Sequence, residues 1–108
     1  MMRELLTRTK RIDAISAKEL IEQSQATLVD VRTPEEYAMG HINGATLLPL
    51  DTLASRAEAA LADKNANVIV YCQSGGRSAY AAAHLAAMGY SNVHDLGGIL
   101  NWPYGITH

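Results

Sequence analysis

Apolar residues along the chain fall into short runs separated by segments that carry helix signals. Thr27-Leu28-Val29-Asp30-Val31 and Asn67-Val68-Ile69-Val70-Tyr71 are compact and rich in β-branched residues, which predicts buried strands. Val93 to Leu96 predicts a last short strand, Ala45 to Leu48 is a further apolar run, and a weaker strand is expected near Arg11 to Asp13. Ser16-Ala17-Lys18-Glu19 has the form of a capping box and predicts a helix through about Gln23. Thr33-Pro34-Glu35-Glu36 is a second such box with proline in the first helical position, and Gly40 is placed to end that short helix. Asp51 is the expected cap of a helix running to about Ala62, and Arg77 to Met88, closed by Gly89, predicts an alanine-rich helix. Strands alternating with helices point to an α/β fold with a mostly parallel sheet. In such sheets ligands bind beyond the carboxyl ends of the strands.

Composition narrows the picture. The 108 residues match one small domain, and 48% hydrophobic content is enough for a core without covalent staples. With no Phe and many Ala, that core is expected to be aliphatic and finely packed. A net charge of −2 gives no basis for a nucleic-acid partner. Arg3, Arg8, Lys10 and Arg11 stand against Glu4, and residues 1–10 read as a solvated, flexible arm rather than a patch for an anionic partner. Met1 to Lys10 lacks the apolar region of a signal peptide, and no run is long enough to span a membrane, so a cytoplasmic protein without membrane contact is expected. The single cysteine, Cys72, rules out a disulfide within the chain.

Cys72 falls one residue after the predicted strand Asn67 to Tyr71, at the start of Cys72-Gln73-Ser74-Gly75-Gly76-Arg77-Ser78. A strand ends there, the chain turns through two glycines, and a helix begins. Gly75 and Gly76 are free to adopt backbone angles closed to other residues. Successive N–H groups in such a turn form an anion-binding nest, to which the helix adds its positive end. A thiol on the lip of that cup has a lowered pKa and becomes a nucleophile. Arg77 supplies a permanent positive charge and a fork for anionic oxygens.

With these residues in view, the chain resembles the rhodanese family of sulfurtransferases over most of its length, from about Ile15 to Trp102. Three segments carry the resemblance in order: Val29-Asp30-Val31-Arg32-Thr33-Pro34-Glu35-Glu36-Tyr37 followed by Gly40-His41-Ile42-Asn43-Gly44-Ala45, then the loop Cys72 to Arg77 with Ser78, then Gly97-Gly98 and Trp102. The resemblance implies a rhodanese-like sheet of about five strands with helices on both faces. It implies that Cys72 is the catalytic nucleophile and becomes a persulfide. The backbone of Gln73, Ser74, Gly75, Gly76 and Arg77 would cradle the sulfur, and Arg77 would help to hold an anionic donor such as thiosulfate. Asp30 would hydrogen-bond the loop through Ser74 or Ser78. Family members often carry a basic residue where this chain has Gln73, and some a second arginine where it has Glu36. Both departures leave a protein persulfide donor open beside thiosulfate.

The implied reaction is a double displacement that needs neither metal nor organic cofactor. Without a resolving cysteine, the sulfur must leave to an outside acceptor: cyanide in vitro, a thiol in the cell. With one copy of the unit, the site is expected to be open, with Cys72 exposed, which favours a broad or macromolecular acceptor. Two other readings stand beside this one. Cysteine-dependent phosphatases share a thiolate in an anion cradle, but resemble Cys-x-x-x-x-x-Arg, whereas here four residues separate Cys72 from Arg77. A docking module without turnover is the other, against which the retained Cys72 and Arg77 argue. Arg32 is expected in a structural ion pair, His41 in tying down its turn, and Trp102 and Met88 in packing. The four histidines show no metal-ligand spacing. Gly75-Gly76-Arg77-Ser78 lacks the lysine and outer glycine of a nucleotide-binding loop.

Overall fold

The computed structural model describes residues 9–108. Five strands form one sheet: β1 (Thr9–Arg11), β2 (Thr27–Asp30), β3 (Thr46–Leu47), β4 (Asn67–Cys72) and β5 (Asn92–Gly98), in the spatial order β1-β5-β4-β2-β3. Every strand pair is parallel. The central strand β4 is buried on both faces, which is why it reads as a continuous apolar run.

Strand alternation sends Val68, Val70 and Cys72 to one face and Ile69 and Tyr71 to the other. The first face is covered by α3 (Leu53–Ala60) and α4 (Gly76–Ala87), through Leu53, Ala57, Ala81, Ala82 and Leu85. Alanines on α4 let the helix lie close to the sheet. The opposite face is covered by α1 (Ala14–Glu22) through Ala17, Leu20 and Ile21, with Ile99 and Trp102 completing the layer. Met88 packs on the first cluster and Trp102 on the second, as expected.

Helix α2 (Pro34–Ala38) has the predicted capping box: Thr33 Oγ accepts from the Glu36 N–H, and the Glu36 carboxylate accepts from the Thr33 N–H. Gly40, with φ of +143°, follows its C-cap Met39. Three boundaries differ from expectation. Helix α1 starts earlier, because Asp13 rather than Ser16 is the cap and accepts from the Ser16 N–H at 2.7 Å. Asp51 caps nothing: it lies in a 3-10 turn, Leu50–Thr52, that runs into α3 without a side-chain cap. The weak strand is Thr9–Arg11, so Lys10, placed in the flexible arm, pairs with His94 in the sheet. Residues 1–8 of that arm, with Arg3, Glu4 and Arg8, lie outside the described residues. No helix of the described residues is long and apolar enough to cross a membrane.

The lower end of the α3/α4 layer is fastened by Tyr90, whose buried hydroxyl lies 2.6 Å from the Leu61 carbonyl and 3.2 Å from that of Ala57. Tyr90→Phe removes this donor without changing the packed ring. It is expected to lower unfolding stability by about 1–2 kcal/mol with an unchanged denaturant slope, measured by urea titration.

Candidate active site

Cys72 is the last residue of β4, not the first of the turn, and its side chain is 1% exposed. The thiol is therefore on the floor of the cup rather than on its lip, correcting the expectation of an exposed cysteine. Strand alternation aims it into the face covered by α4, where the helix starts. Gly75 caps α4 with φ of +115°, an angle that disfavours any residue with a side chain. That turn swings the chain over the sulfur: the Gly75 N–H donates to Cys72 Sγ at 3.0 Å, and the Ser78 N–H at 3.3 Å. The first N–H groups of a helix have no carbonyl of their own helix to meet. Here the sulfur takes that place.

Burial pushes the Cys72 thiol up. The Ser78 hydroxyl and the N–H groups of Ser78, Gly75 and Ser74 outweigh it, and the net displacement is downward. The Ser78 hydroxyl has one proton to give: it is donated to the Gly75 carbonyl at 3.0 Å and braces the turn, and turning it to the sulfur exchanges that bond for one to Sγ. Ser78 is fully buried, Gln73 and Gly75 are half-buried, and Ser74 and Gly76 face solvent.

Two further groups hold the loop, and the candidate residues expected from sequence include only part of them. The first is Gly98. A bulge between β4 and β5 brings it opposite Cys72, and a Cβ there would stand 2.6 Å from the Gln73 carbonyl and 2.8 Å from Ser74 Cα. The loop is thus seated directly on the backbone of β5. The signal was the Gly97-Gly98 pair, read only as a family signature. The second is the Asp30–Arg32 pair. Asp30 does not reach Ser74 or Ser78 as expected. Arg32 folds back two residues along the chain and takes both carboxylate oxygens, at 3.0 Å and 2.7 Å, with both side chains buried. Its remaining N–H groups donate to Gln73 Oε1 at 3.1 Å and to the Gly40 carbonyl at 2.8 Å. Asp30 therefore supports the loop through Arg32 and the Gln73 side chain.

Arg77 departs most from expectation. Its guanidinium already faces a carboxylate, in a two-pronged pair with Glu36 at 2.6 Å and 2.9 Å. Arg77 holds the Glu36 carboxyl down at about 2. Glu36 is therefore ionised throughout the neutral range. The pair stands between two clefts. One, of about 550 Å³, is bounded by Gln73, Glu36 and Arg32 with Met39, Leu100 and Ile106, and the other, of about 680 Å³, by Arg77 with Pro34, Leu50 and Tyr80. His41 ties its turn as expected: it stacks on Tyr37 with centroids 3.6 Å apart and its Nδ1 lies 2.9 Å from the Tyr37 carbonyl. Among the described residues no three His, Cys, Asp or Glu side chains cluster as metal ligands.

Similarity to known proteins points the same way. Residues 13–103 match the family model of the rhodanese-like domain. The thiosulfate sulfurtransferase PspE of Escherichia coli is 42% identical over 71 residues, covering 66% of this chain and 68% of that protein. The thiosulfate sulfurtransferase GlpE of Pseudomonas fluorescens is 43% identical over 89 residues, covering 82% and 79%. Among solved structures, a rhodanese with anions from E. coli superposes with a TM-score of 0.72 at 36% identity, over 76% of this chain and 96% of that one. A rhodanese-related protein from Thermoplasma volcanium does so at 0.76 and 30%, over 91% and 97%.

The lowered thiol predicts that alkylation of Cys72 by iodoacetamide reaches its plateau at lower pH than for a free thiol. Ser78→Ala removes one stabiliser of the thiolate, so the midpoint moves up and the rate at neutral pH falls. Gly98→Ala cannot keep the loop where it is. Alkylation and turnover are expected to fall by as much as roughly 10²-fold while the protein still folds, checked by circular dichroism.

Proposed function

The chain belongs to the rhodanese-like domain family, and from that membership we propose that it is a thiosulfate sulfurtransferase working through a persulfide on Cys72. The observation that carries the reading is the buried sulfur at the carboxyl end of β4, accepting two backbone N–H groups at 3.0 Å and 3.3 Å. Such a thiolate is ready to attack, and the same dipoles suit the charge of the sulfur it gains.

The Cys72 thiolate attacks the outer sulfur of thiosulfate. The sulfur–sulfur bond of the donor breaks, and sulfite leaves with its electron pair. The outer sulfur is now bonded to Cys72 Sγ and carries the negative charge. The N–H groups of Gly76 and Arg77, unpaired within α4 because they lie in its first turn, would receive it. A nucleophilic acceptor, cyanide or a thiolate, then attacks the terminal sulfur and releases the Cys72 thiolate. Gln73 and Ser74 contribute backbone to the cradle, and Gln73 is oriented by Arg32.

Donor anions meet a partly neutralised site, since Glu36 already occupies Arg77. Thiosulfate has to compete with that carboxylate. Glu36→Gln keeps an acceptor for the capping box but frees the guanidinium's charge. KM for thiosulfate is then expected to fall roughly two- to fivefold, the worth of a part-exposed ion pair. An unchanged KM would mean that Arg77 takes no part in donor binding.

The test of the function is transfer of sulfur from thiosulfate to cyanide, with intact mass read after thiosulfate alone. Wild type is expected to gain one sulfur atom and turn over, and Cys72→Ala to do neither. If the protein gains no sulfur from thiosulfate or from a persulfide donor, the persulfide reading fails. Hydrolysis of a phosphate ester, blocked by arsenate, would put a phosphatase in its place.

A further inference from the structure

The cleft beside Gln73 is walled by apolar side chains that are costly to leave in water. Met39 is 79% exposed, Leu100 71% and Ile106 53%, and half-buried Ile99 lies at their base. Three of the six large hydrophobic residues exposed among the described part of the chain thus gather at one opening, next to the reactive loop. They come from separate segments. Met39 is the C-cap of α2, Ile99 and Leu100 follow β5, and Ile106 lies in the C-terminal segment. That segment is pinned by a two-way backbone bridge between His41 and Thr107 at 2.8 Å in each direction, which fixes Ile106 against Gly40.

The charged groups in this wall are Arg32 and Glu36, and each is already paired, with Asp30 and with Arg77. The cleft therefore combines apolar walls with no uncompensated charge, at about 550 Å³, a volume suited to a small molecule. We propose that it is the acceptor subsite, selecting thiols that carry an uncharged, extended apolar body over small or charged ones. The inference rests on the persulfide reading and names its second substrate. The acceptor loses its thiol proton to solvent, and its thiolate attacks the terminal sulfur. The bond from that sulfur to Cys72 Sγ breaks, its electron pair returns to Cys72, and the acceptor leaves as a persulfide. The apolar body, seated between Met39, Leu100 and Ile106, holds the thiolate over the loop.

The test uses mercaptopropanol, mercaptobutanol and mercaptohexanol, uncharged thiols of similar acidity that differ in methylene count. Each is an acceptor for the full chain charged with thiosulfate, and charging is checked by intact mass. In wild type, kcat/KM is expected to climb with chain length, by up to roughly fourfold per methylene buried. In Met39→Ser/Leu100→Ser the dependence should flatten, while Ile15→Ser, an exposed site on α1 that does not line this cleft, keeps it. The chain-length slope is read, not the absolute rate, so a general loss of activity does not imitate the result. A flat slope in wild type, or a slope that survives in the double variant, overturns the inference and leaves the persulfide standing. A chain that takes no sulfur at all overturns both, and the mass measurement tells these cases apart.

Discussion

A buried sulfur whose thiol is shifted toward its charged form needs partners other than water. In this protein that role falls on the backbone, and the fold is arranged around it. Strand β4 delivers Cys72 to the sheet's carboxyl end. Gly75 turns the chain over it, and α4 begins where its unpaired N–H groups meet the sulfur. A charged side chain in that place would bring mobility and its own counter-ion. Amides fixed between a strand and a helix bring neither, and they keep their orientation whatever charge the sulfur carries.

The two ion pairs near the loop show how burial changes what a charge pair does. Asp30 and Arg32 are both withdrawn from water and each depends on the other, since a lone buried charge costs several kcal/mol. Arg32 spends its spare donors on Gln73 and Gly40, so the pair works as a bracket tying the end of β2 to the loop and to the turn after α2. Glu36 and Arg77 are about one-third exposed and contribute little to stability. What they set is the charge seen by an incoming molecule.

The strands and the position of the reactive loop were legible in the chain because buried parallel strands write continuous apolar runs and glycine pairs mark turns. The box at Thr33 was readable since its partners are three residues apart. The box read at Ser16 failed because Asp13 offers the same chemistry three residues earlier, and local pattern alone does not choose between them. Contacts made across the sequence were not legible. Arg77 is an anion fork by its type and position, but its partner lies 41 residues away on another helix. Asp30 faced the same limit: the sequence places it near the loop, while geometry decides that Arg32 reaches it first. The depth of Cys72 also depends on how β5 seats the loop, through a bulge whose mark, Gly97-Gly98, does not by itself say which strand it faces.

The bridge between His41 and Thr107 does more than complete a wall. It brings the end of the chain to the threshold of the site, with His108 Nε2 within 3.6 Å of where a side chain on Gly40 would begin. Anything joined after that residue starts its path beside the cleft. A tethered acceptor or donor module would meet Cys72 at a concentration governed by the linker's length and stiffness, not by its abundance in solution. By the same geometry, a short affinity tag on this end starts at the doorway, whereas the first described residues lie in β1, an edge strand of the sheet.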